Sequence, residues 1–263
     1  YAITNYEDIL NDKDVDLVLI STRHDSHAEL SLKALQAGKN VFVEKPLATN
    51  QEDLDRIKAF YESDIPNKPV LFTGFNRRFS KYITEIKKHT DKRINPMMIR
   101  YRMNAGFIPL DHWVHEHGGR IVGEACHIID LMTALTNSKI ESISVESLTP
   151  KTHHYSSSDN KSIILKYADG SVASIEYFAI GSKELAKEFM EVHFDGKSII
   201  MDDYKSLKGY GIKLTEIKDE ISQKGHYEEL IALYETIKGN KKEWPIELWD
   251  MVQTTEVTLR IIN

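Results

Sequence analysis

The first 75 residues alternate between short apolar runs and amphipathic segments. Residues 15–21 (VDLVLIS) and 40–44 (NVFVE) are continuous apolar runs, which is typical of strands buried on both faces. Between them lies a predicted helix, which Ser26 and Glu29 could begin as a capping box. A third strand is predicted over 70–75. Strands that alternate with helices at this spacing predict βαβ units, and therefore half of a doubly wound parallel sheet.

After residue 78 the chain changes to longer segments in which apolar and polar positions alternate. Two of them contain turn residues, ADG at 168–170 and DG at 195–196, and each predicts a β-hairpin. Helices are predicted over 79–90 and 121–136, and two more helices close the chain. This second pattern is typical of an α+β domain with a mostly antiparallel sheet.

The two patterns predict two domains. We expect residues 1–77 to form the partial doubly wound parallel sheet, and residues 78–263 to form a larger, mostly antiparallel open sheet with helices. The predicted fold class is therefore α/β plus α+β. Hydrophobic residues make up 41% and charged residues 28% of the chain, so it can bury a core and is not expected to be disordered.

The charge balance excludes some classes of partner. There are 34 Lys and Arg residues against 40 Asp and Glu, a net charge of −6, which argues against nucleic acid or an anionic membrane surface. No apolar run approaches the ~20 residues that cross a bilayer. The single cysteine, Cys126, cannot form an internal disulfide, so a reducing cytoplasm is the simplest location.

Two features of the sequence could carry chemistry. Glu44-Lys45-Pro46 follows the second strand, and ligands of open α/β sheets bind just beyond the carboxyl ends of the strands. A lysine there can donate to a substrate oxygen, although on spacing alone a solvated lysine is the simpler interpretation. His127 lies in the apolar segment ACHIIDLMTAL, which by itself predicts a histidine in the core.

Three segments of the sequence, taken together, are a more specific indication of function than Lys45 or His127 alone. They are STRHDSHAELSLKALQAGKNVFVEKPLA at 21–48, GFNRRF at 74–79 and GGRIVGEACHIIDL at 118–131. In this order they closely resemble the Gfo/Idh/MocA family of NAD(P)-dependent dehydrogenases, over essentially the whole chain. The resemblance implies a Rossmann domain followed by a substrate-binding and oligomerisation domain. It also implies NAD or NADP as cofactor, a sugar, sugar nucleotide or cyclic polyol as substrate, and a homodimer or homotetramer formed through the C-terminal sheet.

The resemblance also implies roles for individual residues. The expected catalytic residues are Lys45, His127 and Glu124. The expected cofactor-binding residues are Ser21, Thr22, Arg23, His24, His27, Glu44, Lys45 and Arg77. The expected substrate-binding residues are Lys45 and His127 and, from the polar segment DHWVHEH rather than from the resemblance, His112 and Trp113, whose ring offers an apolar face for a sugar.

The chain departs from the family pattern at two places. The family usually has an acidic residue four positions before the histidine, and here that position is Gly123. Glu124 lies three residues before His127, close to the same helix face, and could raise the pKa of the imidazole. Alternatively, Glu124 could point to solvent or favour the start of the helix. The second departure is Arg23-His24, which stands where the family usually has Pro-Asn.

A dinucleotide site also needs a glycine-rich turn that binds the pyrophosphate, and none of the 13 glycines supplies one. The family places this turn before the point where the present sequence begins. We therefore expect an N-terminally truncated chain that is inactive by itself, with an apolar edge at 15–21. The alternative is a non-catalytic scaffold derived from the same family. We expect no metal site, since the spacing of His112, His115 and His117 fits no standard zinc motif.

Overall fold

The computed structural model describes residues 2–239 and 244–262. The helices in this part of the chain are α1 (Tyr6–Asn11), α2 (His27–Gln36), α3 (Gln51–Glu62), α4 (Lys81–Thr90), α5 (Cys126–Thr136), α6 (His226–Ile237) and α7 (Leu248–Ile262). The strands are β1 (Leu17–Ile20), β2 (Asn40–Val43), β3 (Leu71–Thr73), β4 (Met98–Asn104), β5 (Ile140–Ser147), β6 (Lys161–Tyr167), β7 (Val172–Phe178), β8 (Glu188–Phe194), β9 (Lys197–Asp202) and β10 (Ser206–Tyr210). Within these residues, none of the helices combines the length and apolar character that a membrane span requires.

The first sheet is parallel, as the alternating pattern predicts. Its strand order is β1-β2-β3, with Leu17 opposite Asn40 and Val41 opposite Leu71. The central strand is buried on both faces, and both Val41 and Val43 are fully inaccessible. A continuous apolar run suits such a strand because neither face meets water.

Strand β1 lies at the edge of this sheet, and among the described residues it pairs with β2 alone. Leu19 in the middle of the strand is 60% exposed. An apolar groove beside it is lined by Tyr6, Val18 and Leu30. The apolar edge predicted for residues 15–21 is therefore present in the described structure.

The predicted capping box of α2 is wrong. A 3₁₀ turn, His24–Ser26, precedes the helix, and the Ser26 hydroxyl donates to the carbonyl of Arg23 at 2.9 Å instead of capping α2. The hydroxyls of Ser26 and Thr22 also lie 2.7 Å apart. The loop after β1 is thus held by its own side chains, and it turns directly into the helix.

The second sheet is mostly antiparallel, in the order β10-β9-β8-β4-β7-β6-β5. Only the central pair, β4 and β7, is parallel. The hairpins β6–β7 and β8–β9 close at the two predicted turns. Inward-facing positions alternate along each strand, so one face packs on the helices and the other stays partly open.

The predicted helix over 121–136 consists of two kinds of helix. Residues Ile121–Ala125 form a π-helical turn, and α5 begins only at Cys126. A π-turn has i to i+5 hydrogen bonds and therefore holds more residues per turn than an α-helix, and such turns are frequent at functional sites. The turn therefore changes the direction in which residues just before α5 point.

The last helix connects the two cores. Met251 is fully buried in the core of the first sheet, where the Thr73 hydroxyl donates to its sulfur at 3.3 Å. Val257 and Ile261, further along the same helix, belong to the core of the second sheet. The domain boundary at residue 77 therefore stays a prediction, because the last helix packs on the cores of both sheets.

Candidate active site

A cavity of about 300 Å³ lies beyond the carboxyl ends of β1 and β2 and faces the π-helical turn. Half of the twelve residues proposed from the sequence contribute to its wall. These are His24, Lys45, Arg77, Trp113, Glu124 and His127. The structure thus brings together residues from both halves of the chain at the edge of the parallel sheet where ligands of α/β folds bind.

Lys45 reaches this cavity because β2 ends two residues earlier. The backbone N–H of Glu44 still bonds to the carbonyl of Ile20, at 2.8 Å, which fixes the strand end. The Lys45 ammonium donates to the main-chain oxygen of Gly123 at 2.9 Å. Within the described residues it has no carboxylate partner, so its positive charge remains available to a ligand.

His127 lies in the first turn of α5 and is only 7% exposed. Its Nδ1 atom is buried and has no hydrogen-bond partner among the described residues. Burial, followed by the positive charges of Arg77 and Lys45, places the pKa of His127 well below the usual 6.5. The imidazole is therefore neutral near pH 7, the form that can accept a proton.

The expected pairing of Glu124 with His127 is wrong. The Glu124 carboxylate accepts from Lys187 at 2.5 Å, from the Tyr177 hydroxyl at 2.6 Å and from Arg120 at 3.2 Å. Burial alone would raise the pKa of Glu124, but Lys187 and the other two donors outweigh it and lower the pKa. The π-turn carries Glu124 toward β7 and β8, and this is why the three-residue spacing does not produce a contact.

Arg77 lines the cavity through a buried ion pair. Its guanidinium donates to both carboxylate oxygens of Glu188, at 2.7 and 3.0 Å. Glu188 also accepts from the Tyr101 hydroxyl and from Lys224. Burial opposes ionisation of Glu188, but Arg77 outweighs that effect and lowers the pKa of Glu188 to about 2.

Glu188 is absent from the residues predicted above, although the sequence carries a signal for it. Glu188 is in phase with Met190, Val192 and Phe194, the inward-facing apolar residues of β8. An acidic residue at such a position needs a buried cation, because an unpaired charge in a core is very costly. Lys187 and Tyr177 left no comparable signal, whereas Arg120 lies four residues before Glu124, a spacing at which opposite charges pair on a helix.

The loop after β1 carries several of the proposed cofactor-binding residues. Ser21, Thr22 and Arg23 are exposed at the strand end, and the guanidinium of Arg23 lies 5.5 Å from the centre of the Trp113 ring. His27 is buried, with Nδ1 2.8 Å from the carbonyl oxygen of Pro46 and Nε2 3.1 Å from that of Thr22. His27 therefore connects the loops that follow β1 and β2.

The two departures from the family pattern meet in space. A Cβ atom placed on Gly123 would lie 2.7 Å from Cε1 of the His24 ring, which is closer than such atoms approach. A side chain at position 123 therefore has no room while His24 occupies this place.

The histidines of the segment DHWVHEH point to different partners. His112 is exposed, and its Nδ1 accepts from the backbone of Val114 at 3.2 Å. His115 lies 3.6 Å from Asp159, and His117 lies 3.9 Å from Asp25. In the described parts of the chain, no three His, Cys, Asp or Glu side chains are placed to hold one metal ion. From the proposed substrate-binding pair in this segment, Trp113 reaches the cavity wall and His112 does not.

Family models match both parts of the chain. Residues 2–64 match the model described as oxidoreductase family, NAD-binding Rossmann fold, and residues 95–200 match the GFO/IDH/MocA C-terminal domain. The chain belongs to the Gfo/Idh/MocA family. Its two sheets are accordingly the Rossmann-type sheet and the C-terminal sheet of that family.

Curated relatives and solved structures agree with this assignment. Inositol 2-dehydrogenase of Salmonella paratyphi B is 33% identical over 145 residues, which cover 54% of this chain and 41% of that protein. UDP-N-acetylglucosamine 3-dehydrogenase from Acidithiobacillus ferrooxidans has a TM-score of 0.80 at 19% identity, covering 99% of this chain and 81% of the other. A levoglucosan dehydrogenase in complex with NADH and levoglucosan has a TM-score of 0.78 at 18% identity, covering 99% and 80%. The matched region thus spans less than half of the inositol dehydrogenase.

Polar residues in the cavity wall and in the adjoining strand-end loops fit the nicotinamide end of a dinucleotide. The hydroxyls of Ser21 and Thr22 and the guanidinium of Arg23 are exposed beyond β1. Glu44 and Lys45 follow β2, and the buried Nδ1 of His127 has no partner among the described residues. Polar groups therefore surround a cavity at the edge of the sheet where a Rossmann fold holds its cofactor.

Proposed function

We propose that this protein is an NAD(P)-dependent dehydrogenase that acts on a hydroxyl of a cyclic polyol, sugar or sugar nucleotide. One observation carries the proposal. The ammonium of Lys45, which has no carboxylate partner in the part of the chain that the structure describes, and the neutral imidazole of His127 reach the same cavity, at the carboxyl edge of an NAD-binding type of sheet. Those two groups are what oxidation of an alcohol requires from the protein.

Lys45 would act on the oxygen of the reacting hydroxyl. As that hydroxyl loses its proton, negative charge develops on the oxygen, and an ammonium without a carboxylate partner stabilises that charge. The hydrogen bond to Gly123 holds the side chain in place before substrate arrives. Because the donor is already oriented, little reorganisation is needed during the reaction.

His127 would accept the proton of the same hydroxyl. Burial, and then the neighbouring positive charges of Arg77 and Lys45, lower the pKa of His127, so the base is in the neutral state that it needs near pH 7. In the reverse direction the imidazolium would return the proton to the carbonyl oxygen. The low pKa makes His127 a stronger acid than an ordinary histidine, which suits that step.

The cofactor supplies the hydride chemistry when it is bound, because the nicotinamide ring accepts the hydride that leaves the carbon. Ser21, Thr22, Arg23 and Glu44 would hold the nicotinamide half at the strand ends. Arg77, fixed by Glu188, would contribute its positive charge to the wall. We keep both NAD and NADP as candidates.

The substrate class follows from the cavity wall and from the named relatives. The relatives act on inositol, UDP-N-acetylglucosamine and levoglucosan according to their names, which are cyclic and hydroxyl-rich compounds. Trp113 is 39% exposed at the cavity and offers an apolar face for such a ring. Charged groups around it suit the hydroxyls of the same ring.

A turnover assay of the full-length protein tests the proposal. Myo-inositol, scyllo-inositol, levoglucosan and UDP-N-acetylglucosamine are each mixed with NAD⁺ or NADP⁺, and reduction is followed at 340 nm. We expect turnover with at least one compound and a loss of about 10²–10³-fold in kcat in Lys45→Ala. Lys92→Ala, which changes an exposed lysine outside the cavity wall, is the matched control. No reduction of either cofactor with any compound would contradict the proposal.

A non-catalytic scaffold has no need for an unpaired ammonium beside a buried neutral imidazole, so we prefer the enzyme. Two further expectations remain proposals. The partly open face of the second sheet carries exposed Met98 and Ile164, and it would join two or four copies of the chain. Light scattering would measure the mass. The free, buried thiol of Cys126 is compatible with a cytoplasmic location.

A further inference from the structure

His24 is held against the cavity by two rings. It lies in the 3₁₀ turn after β1, and its ring packs edge-on against Trp113, with 5.5 Å between the ring centroids. The ring of His27 packs against it from within the protein, at 5.8 Å. His27 is itself fixed between two backbone carbonyls. The position of the His24 imidazole is therefore determined by aromatic neighbours rather than by hydrogen bonds.

The same ring lies over the π-helical turn. Its Cε1 atom is 2.7 Å from where a Cβ of Gly123 would be, and the carbonyl of Gly123 accepts from Lys45. His24 thus occupies the place that a side chain at position 123 would take. It does so beside the proposed catalytic lysine and in the wall of the same cavity as His127.

The two ring nitrogens of His24 are available to a ligand. Neither ring nitrogen makes a hydrogen bond to any residue in the ranges 2–239 and 244–262. Burial, followed by the positive charge of Lys45, lowers the pKa of His24 to about 4. The imidazole is neutral at pH 7, so one nitrogen donates and the other accepts. A hydroxyl group, which also donates and accepts, is the natural complement.

We propose that His24 binds the substrate, by a hydrogen bond to a hydroxyl other than the one that is oxidised. The imidazole that makes this bond lies over Gly123. The proposal rests on the proposed dehydrogenase function and makes His24 a specificity-determining residue. It replaces the cofactor-binding role expected for His24 from the resemblance.

Kinetics of His24 variants in the full-length protein test this assignment. With the polyol or sugar that the wild type oxidises best, His24→Ala should lower kcat/KM for that compound about tenfold, the effect of one neutral hydrogen bond. The KM for the nicotinamide cofactor should not change. His24→Asn, which keeps a donor and an acceptor, should recover part of the loss. A rise in the KM for the cofactor alone would overturn the proposal and restore the cofactor-binding role.

Deoxy analogues of the same compound locate the hydroxyl. With the wild type, the analogue that lacks the contacted hydroxyl should have a kcat/KM about tenfold below that of the parent compound. With His24→Ala, the analogue and the parent compound should have nearly the same kcat/KM, because the hydrogen bond is already absent. Additive losses for every analogue would contradict the contact.

Substitution of Gly123 tests the geometry. Gly123→Ala should lower kcat/KM for the substrate when His24 is present, since the added methyl group displaces the ring. In the His24→Ala background the same substitution should have almost no effect. Equal losses in both backgrounds would show that Gly123 matters for another reason.

A binding measurement separates this proposal from the proposed function. If the wild type oxidises none of the compounds, the proposed function fails, and His24 is then judged by nitrogen NMR of its ring. The ¹⁵N shifts should move when myo-inositol or levoglucosan is added. Unmoved shifts at saturating concentrations of both would overturn the assignment.

Discussion

The ammonium of Lys45 donates to the main-chain oxygen of Gly123 at 2.9 Å, and this bond joins the end of β2 to the π-helical turn. Lys45 belongs to the parallel sheet, whereas His127 follows the π-turn on α5. The bond therefore fixes the distance between two proposed catalytic groups that come from different parts of the fold.

Replacement of Lys45 by arginine tests whether this geometry matters beyond the charge. A guanidinium is larger, planar and less strongly hydrated, so it cannot place one compact donor on both Gly123 and a substrate oxygen. We expect Lys45→Arg to lower kcat about 10²-fold, close to the loss in Lys45→Ala. The thermal unfolding temperature should stay near that of the wild type. Retention of most of the activity would mean that only the positive charge is needed.

Glu124 provides a prediction about pH. The pKa of His127 is well below 6.5, so the acid limb of kcat/KM should lie below the pH expected for an ordinary histidine. Glu124→Gln should leave that limb where it is, because the carboxylate binds Lys187, Tyr177 and Arg120 instead. The pH profiles of both proteins provide the measurement. A limb that moves to lower pH in the variant would restore the carboxylate as a partner of His127.

The buried ion pair behind the cavity provides a prediction about stability. Glu188→Gln leaves the guanidinium of Arg77 buried without its full partner, and such a loss costs about 3–5 kcal/mol. Glu191→Gln is the matched control, since Glu191 is on the same strand and lies 3.7 Å from the exposed Arg100. That change should cost less than about 1 kcal/mol. Urea unfolding of the two variants measures the difference, and equal costs would contradict the role of Glu188.

Glu229 in the first turn of α6 is expected to destabilise the protein at high pH. Its Oε1 atom is buried without a partner in the described structure. Burial, and then the negative charges of Glu44 and Asp130, raise the pKa of Glu229 to about 9. The folded protein thus holds a proton that the unfolded chain releases above about pH 4.5. Stability from this group is complete below that pH and is lost as the pH rises toward 9.

Glu229→Gln should remove this dependence. At pH 8 we expect the variant to unfold at a higher temperature than the wild type, by roughly 2–4 °C for each kcal/mol relieved. Near pH 4.5 the two proteins should unfold at similar temperatures. Glu228→Gln, at the exposed neighbouring position, should change little at either pH. A variant less stable than the wild type at pH 8 would contradict the raised pKa.

The sequence predicts those parts of the fold that depend on local patterns. The apolar run of β2 indicates a strand covered on both faces, and the DG turn at 195–196 indicates the hairpin of β8 and β9. The π-turn is not predictable in this way, because a single turn of five residues is too short for its apolar spacing to be told from that of the α-helix that follows.

The candidate site shows the same limit. Strand-end position and resemblance suffice to find Lys45 and His127. Two of the three partners of Glu124, Tyr177 and Lys187, lie 53 and 63 residues further along the chain, and spacing says nothing about contacts at that range. The three-residue spacing predicts a contact between Glu124 and His127, whereas the tertiary structure pairs Glu124 with Arg120, Tyr177 and Lys187.

Because α7 packs on the first core, that core is completed only after nearly all of the sequence has been translated. Met251 is the 178th residue after its partner Thr73, and all seven strands of the second sheet are translated in that interval. At about 5–20 residues per second, the ribosome needs roughly 9–36 s to make this stretch. Throughout this time α7 cannot cover the apolar surface around Thr73, because Met251 has not been made. Chaperones that capture exposed apolar segments therefore have a defined interval in which to act on it, which closes when Met251 leaves the exit tunnel.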